Sequence, residues 1–431
     1  MTRRGVTRRG FISMAASAAA APYVITSQAL GQGAVPPASE RVTLGHIGVG
    51  GQGSGLLRGF IHQELCQSVA TCDPFKDRRE NWAKHVEEHY SKHKDQGGSY
   101  EGCTPYEDFR ELLDREDIDA VVIATPDHWH IPIAVAAVRA GKDIYVEKPL
   151  GVSIEQNKAL RQEVERYGAI FQYGTQQRCF NTHCAFACEL VRNGYIGELK
   201  RIDVIAPDGA IGGDPTPQQV PEGLHYDLWL GPAPVTPYTH DKVVGTGRYH
   251  CYDYSLGFIA GWGAHPLDIA HWGYPQIPVV YEGTGFIPTE GLFDTVVHWD
   301  VKGTYASGVS FTLKPGSDKT TFVGTEGQVA ASRGGIRADP PSLLQIELKP
   351  GDERLLQDNH HYRNFLQAVK TRSAPVSDIA SACQSDFISH LGNIAIRTGR
   401  EIHWDPETET IIGDDCAQRM QIRSLRPPWC V

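Results

Sequence analysis

The chain has 431 residues, 41% of them hydrophobic and 21% charged, with a formal net charge of -10. That length implies two domains with sizeable cores, and the acidic balance excludes binding to nucleic acid through a basic surface. Ten cysteines without a CxxC pair exclude a disulfide scaffold and a closed zinc site.

In "TRRGFISMAASAAAAPYV", Arg8 and Arg9 stand just before an alanine-rich apolar run that ends near small residues. The pattern reads as a twin-arginine export signal, cut somewhere from Ala21 to about Ala34. The run falls short of the roughly 20 residues a transmembrane helix needs, so no stable membrane span is expected after signal removal. Removing residues 1–34 deletes Arg3, Arg4, Arg8 and Arg9 and no acid, which takes the net charge from -10 to -14. The expected location is the periplasm or another exported compartment reached by the twin-arginine route. Gly31 to Glu40, small, polar and proline-containing, reads as a linker.

"RVTLGHIGVGGQGSGLLRGF" then gives a short strand, a glycine turn and an apolar helical pattern. "CQSVATCD" and "DAVVIATP" read as further strands, with apolar runs too continuous for a sheet that faces water. Helical "DFRELLDRE" and "IPIAVAAVRAGK" alternate with them, so a Rossmann doubly wound parallel sheet is expected over residues 41–165. "THCAFAC" places Cys184 and Cys188 one helical turn apart beside His183, and three ligands do not close a zinc site, so they read as helix residues.

Beyond residue 165 the grammar changes. In "SGVSFTLK", Val309, Phe311 and Leu313 alternate with Ser310, Thr312 and Lys314, and "FDTVVHWDV" has similar strand character. One apolar and one polar face describe a mainly antiparallel sheet. "YRNFLQAVK" sets Tyr362, Phe365, Leu366 and Val369 at helical spacing, and Ile379 to Arg397 supports another helix. The fold class is α/β, with a substrate-binding α/β domain over residues 166–425.

"GVGGQG" supplies Gly48, Gly50 and Gly53 in the G-x-G-x-x-G register between a strand and a helix. The first glycine allows the tight turn, the second lets backbone amides approach a pyrophosphate, and the third lets helix and strand pack closely. Asp73, about 20 residues on, ends the next strand where a carboxylate accepts hydrogen bonds from ribose hydroxyls. An acid there favours NAD, while Lys76, Arg78 and Arg79 keep NADP possible.

The sequence resembles the glucose-fructose oxidoreductase, inositol dehydrogenase and MocA-like group, Gfo/Idh/MocA. The matching stretches are "GVGGQG", "ATPDHWH" at Ala124 to His130, "EKP" at Glu147 to Pro149, "YGTQQR" at Tyr173 to Arg178, and "GWGAHPLDIAHW" at Gly261 to Trp272. The resemblance implies a nicotinamide domain followed by an α/β domain whose open, mainly antiparallel sheet carries a sugar site, in a homo-oligomer. It places Thr125, Pro126, His130, Glu147, Gln52 and Gln176 toward the cofactor, and Asp127 where many relatives have Asn. Lys148 would face substrate across a cis peptide to Pro149, with Trp129, Arg178 and Trp262 beside it. Trp272 is a further ring that could stack on a pyranose.

Oxidising a sugar carbinol needs a proton removed from oxygen as hydride leaves carbon, work that suits Lys148 as general base. His265 can exchange the hydroxyl proton or polarise the carbonyl, and Asp268, one helical turn on, can orient it or bind a sugar hydroxyl. Relatives often carry an Asp four residues before that His, where this chain has Gly261. His271 suits a site role and a structural one equally.

The leading expectation is an NAD(P)-dependent oxidoreductase acting on a secondary hydroxyl of a sugar or cyclitol, with a tightly bound cofactor because an exported protein meets no free dinucleotide pool. An alternative is a glycoside hydrolase that uses transient C3 oxidation, elimination and re-reduction. A third is a noncatalytic sugar-binding protein that keeps the Rossmann frame as scaffold.

Overall fold

Unbroken apolar runs become strands buried on both faces. β1 (Val42–Ile47), β2 (Cys66–Cys72), β3 (Thr104–Tyr106), β4 (Ala120–Ile123), β5 (Asp143–Val146) and β6 (Phe171–Tyr173) form one sheet in the order β3-β2-β1-β4-β5-β6. Every pairing in it is parallel. This comes from a computed structural model that describes residues 37, 40–92, 101–180 and 182–431, so the signal-like N-terminus lies outside the described residues. Residues 42–431 form one compact unit.

All four residues of β4 and of β5 are buried, which is why neither shows the alternation of a sheet with a wet face. The strand order reverses between β1 and β4, and ligands of such sheets bind in the crevice at the carboxyl ends there. The helix after β4 runs Asp127–Arg139, starting before the expected Ile131 and carrying Pro132 inside it.

One face of this sheet is closed by the far end of the chain. The helix His361–Thr371 buries Phe365, Leu366 and Val369 against Val42, Leu44, Phe60 and Tyr145. The parallel sheet itself runs to Tyr173, past the expected break at residue 165.

The second sheet has nine strands, β7 (Leu199–Ala206), β8 (Val280–Phe286), β9 (Val297–Thr304), β10 (Ser310–Pro315), β11 (Lys319–Gly324), β12 (Gln328–Ser332), β13 (Gly335–Asp339), β14 (Ile402–Asp405) and β15 (Thr410–Ile412). Its order is β13-β12-β11-β7-β10-β9-β8-β14-β15. Only the β7–β10 pairing is parallel, so the sheet is mixed and mainly antiparallel. In β10, Phe311 and Leu313 are buried while Ser310 and Lys314 are exposed, as the alternation predicts. The helices Thr182–Arg192, Ala264–Gly273 and Ile379–Thr398 pack on the inner face. Cys184 and Cys188 are buried in that core, and His183 Nε2 lies 2.7 Å from the Ser332 carbonyl oxygen.

Candidate active site

At the end of β1 the chain turns through Gly48, whose φ of 82° lies in the left-handed region; a Cβ there would meet the Ala124 carbonyl at 2.7 Å. Gly53 is tighter still, because its Cβ would fall 1.8 Å from the Gly48 carbonyl oxygen. The helix Gly51–Ile61 begins with no side-chain cap and no acid in its first turn, leaving orphan amides at an N-terminus suited to an anion. Asp73 is buried, its Oδ2 accepting from the Val49 amide and its Oδ1 from the Phe75 amide, each at 3.0 Å. Burial pushes this carboxyl above its usual range, against the pull of Arg78 and the two amides.

Of the three cations after Asp73, Arg79 pairs with Glu107 at 3.0 Å. Arg78 instead stacks on Phe75 at 3.8 Å, and its Nη1 would lie 3.3 Å from a Cβ on Gly50. Gly48, Gly50, Gln52, Asp73, Arg78, Thr125, Pro126, His130, Glu147 and Lys148 all line one cavity of about 390 Å³. Thr125 Oγ1 and Asp127 Oδ2 are buried in that lining with no hydrogen-bond partner among the described residues. Orphan polar atoms around an uncapped helix N-terminus fit a bound dinucleotide.

Beyond β5, Glu147 and Lys148 separate as neighbours on an extended chain must. Glu147 is buried, and its Oε1 accepts from Gln52 Nε2 at 3.0 Å and Gln176 Nε2 at 2.9 Å. Burial raises this carboxyl and the Lys148 charge opposes the rise. Lys148 Nζ points the other way and donates to the Gly261 carbonyl at 3.2 Å. The Lys148–Pro149 peptide is cis. His130 ties the two loops together, with Nδ1 2.7 Å from the Pro149 carbonyl and Nε2 3.0 Å from that of Thr125. Its nitrogens serve the backbone, so it offers the cavity a ring face.

A second cavity of about 240 Å³ holds His265, Trp262, Gln176 and Arg333, and it shares Gln52, Lys148, Thr246 and Tyr249 with the first. Gly263 lets the helix Ala264–Gly273 start directly after Phe258–Gly261, since a Cβ there would sit 1.9 Å from the Ile259 carbonyl oxygen. His265 is the second residue of the new helix and is buried. Burial, then the charges of Lys148 and Arg333, hold its imidazole well below the usual range, so the ring is neutral at pH 7. The Arg333 guanidinium lies 5.0 Å over the Trp262 ring.

Asp268 and Arg178 stand elsewhere than expected. Both are buried, and they form a bidentate pair, Nε to Oδ2 at 2.7 Å and Nη2 to Oδ1 at 2.6 Å. Arg178 also donates to the Val376 carbonyl and Ser381 Oγ. Neither residue lines the two cavities, so Asp268 does not reach a sugar hydroxyl. His265 Nδ1, which Asp268 was expected to orient, is buried with no partner among the described residues. His271 is structural, with Nε2 2.8 Å from Gln384 Oε1. Trp129 is buried in the core, its indole N–H donating to the Leu228 carbonyl at 3.1 Å, so it walls the larger cavity and does not reach the smaller. Trp272 packs under Arg178 at 5.1 Å. Trp262 alone of these rings reaches the smaller cavity.

Sequence reasoning missed Thr246, Arg248, Tyr249 and Arg333. The first three belong to the stretch between β7 and Phe258, which forms only the short helices Tyr226–Leu230, His240–Val243 and Gly247–His250 and carries no motif that marks a site.

Residues 42–175 match the Gfo/Idh/MocA model for an oxidoreductase-family NAD-binding Rossmann fold, and residues 212–431 match the model for the family's C-terminal alpha/beta domain. The alpha-N-acetylgalactosaminidase of Shewanella oneidensis is 30% identical over 174 residues, 39% of this chain and 35% of that protein. The match thus spans about a third of the curated relatives' length. The aldose-aldose oxidoreductase of Caulobacter crescentus has the same fold at a TM-score of 0.61 and 16% identity, covering 84% of this chain and 99% of that one. The scyllo-inositol dehydrogenase of Lactobacillus casei, solved with NAD(H) and scyllo-inositol, gives 0.57 and 16%, with coverage of 84% and 99%. The chain belongs to the Gfo/Idh/MocA oxidoreductase family, with NAD as its cofactor.

Proposed function

We propose that this protein oxidises a secondary hydroxyl of a sugar or cyclitol while holding its cofactor tightly. The observation that carries the reading is the shared wall: Lys148 lines both cavities, and His265 lines the smaller one. NAD in the larger cavity supplies the hydride acceptor. Lys148, anchored through Nζ to the Gly261 carbonyl, takes the hydroxyl proton of a substrate in the smaller cavity. His265, kept neutral by burial, hydrogen-bonds the same oxygen without adding charge. Trp262 offers an apolar ring to the sugar face. Glu147, with Gln52 and Gln176 on its Oε1, orients a ribose hydroxyl through its remaining acceptor capacity.

The similarity to an alpha-N-acetylgalactosaminidase favours a second reading, a redox-neutral glycoside hydrolysis in which oxidation of the hydroxyl would acidify the neighbouring C–H, loss of that second proton would expel the aglycone, water would add, and the hydride would return to the sugar. Export through the twin-arginine route fits both readings, because a cofactor loaded before export must be regenerated in place. One assay separates them: aryl glycosides and free sugars are offered to the purified protein with no NAD added. Steady release of the aryl group supports hydrolysis. Oxidation of a free sugar only when a second sugar is present as acceptor supports the oxidoreductase.

A further inference from the structure

The larger cavity has a wall that the parallel sheet does not build. Residues 207–257, between β7 and the helix Phe258–Gly261, carry their own small core of Leu224, Trp229, Leu230, Tyr238, Val243 and Tyr254. This segment is fastened to the Rossmann domain at two edges. After β2, the Lys76 amide donates to the Gly223 carbonyl at 2.8 Å and the His225 amide to the Pro74 carbonyl at 3.0 Å. At the helix after β4, the His128 amide donates to the Tyr254 carbonyl at 3.1 Å. The C-terminal tail adds a third tie, where Arg426 Nε donates to the Gly231 carbonyl at 2.8 Å and Nη1 meets Asp227 Oδ1 at 2.6 Å.

Arg248 projects from this segment into the cavity lining that contains the glycine turn. Its Nη1 meets the Gly245 carbonyl and its Nη2 lies 3.2 Å from the Tyr249 hydroxyl, while its Nε is buried with no partner. No salt bridge reaches Arg248 among the described residues; its charge acts from beyond salt-bridge distance on the buried Asp127 carboxyl of the same lining, and its Nε–H has no hydrogen-bonded anion. The anionic part of a dinucleotide is its pyrophosphate, and the uncapped helix N-terminus that suits it opens on the same cavity.

We propose that Arg248 binds the dinucleotide pyrophosphate from the side opposite in sequence to the glycine turn, and that residues 207–257 thereby retain the cofactor between turnovers. This rests on the dinucleotide reading of the larger cavity. The test loads full-length wild-type protein, Arg248→Gln and Arg248→Lys with NADH and follows its release by fluorescence after dilution into a large excess of NAD. Losing one charge-assisted contact speeds release about 10- to 100-fold in Arg248→Gln, with Arg248→Lys between it and wild type. Arg248→Lys, which keeps the charge, keeps the test valid if the glutamine variant does not fold, since it too releases NADH faster than wild type once the forked contact is lost. Release from both variants within twofold of wild type overturns the proposal; a raised KM for sugar with unchanged release assigns Arg248 to the substrate instead. Wild-type protein that binds no NADH at all refutes the cavity's dinucleotide reading itself.

Discussion

Replacing Asp268 by Asn distinguishes a structural acid from a catalytic one. Asp268 and Arg178 are paired bidentately at 2.7 and 2.6 Å, with side chains 0% and 3% exposed. After the change Arg178 keeps the Val376 carbonyl and Ser381 Oγ as neutral partners, and its charge stays buried without a counter-ion. Breaking such a pair from one side costs about 3–5 kcal/mol. Asn retains one oxygen as acceptor, which places the expected loss near the lower end, about 3 kcal/mol. That is a large share of a typical domain's stability, about 5–15 kcal/mol. Urea unfolding followed by tryptophan fluorescence reads the loss, and kinetics well below the transition read the chemistry. KM and kcat for sugar should stay within about threefold, since neither residue lines a cavity. The double variant Asp268→Leu with Arg178→Met should regain most of the stability, because apolar residues of similar volume replace buried pairs at little cost. Stability within about 1 kcal/mol of wild type together with a kcat/KM more than about 100-fold lower would refute the reasoning and return Asp268 to the chemistry.

Lys148→Ala should lower kcat/KM by roughly 100- to 10,000-fold with bound NAD unchanged, and Lys148→Arg should not rescue it, because a guanidinium does not give up its proton; cofactor content and turnover of each variant check both statements. His265 is held below its ordinary range by burial, so it stays neutral as pH falls through 6.5, and no acid limb of kcat/KM should centre at or above that value. A pH–rate profile from about 5 to 9 measures this, with an acid limb near 6.5 as the contrary result. Gly53→Ala should weaken NAD binding at least about tenfold, because its Cβ would lie 1.8 Å from the Gly48 carbonyl oxygen, whereas a Cβ at Gly51 meets nothing within 4 Å and Gly51→Ala should bind normally; equilibrium titration with NADH compares the two.

What the sequence reveals follows the range over which each signal acts. The glycine turn, the strand before it and Asp73 after it are local, and the structure holds them in the expected relation. Strands of both sheets were legible where burial on one face or two leaves different patterns, as in β4 and β10, whereas short strands such as β3 and β6 carry too few residues to show one. The helix His361–Thr371 was legible as a helix, but periodicity does not say which core its apolar face joins, and it joins the Rossmann sheet. Asp268 lies on the same helix as His265, and that spacing suggested a partnership. The stronger claim on its carboxylate came from Arg178, 90 residues away, which no local pattern shows. Arg248 sits in a segment without helical or strand periodicity, where only the tertiary ties at Gly223, His225 and Tyr254 bring it to the cofactor cavity.

The central claim is that a proton acceptor at Lys148 and a hydride acceptor in the adjoining cavity work on one sugar or cyclitol hydroxyl. It is tested most directly by a single turnover of NAD-loaded protein mixed with a panel of sugars and cyclitols, following the absorbance of reduced nicotinamide. The account predicts a rise with at least one oxidisable substrate, lost in Lys148→Ala although that variant holds the same amount of NAD. A substrate that binds the loaded wild-type protein, as read by calorimetry, and is turned over with no reduced nicotinamide at any time, equally well in Lys148→Ala, would contradict it.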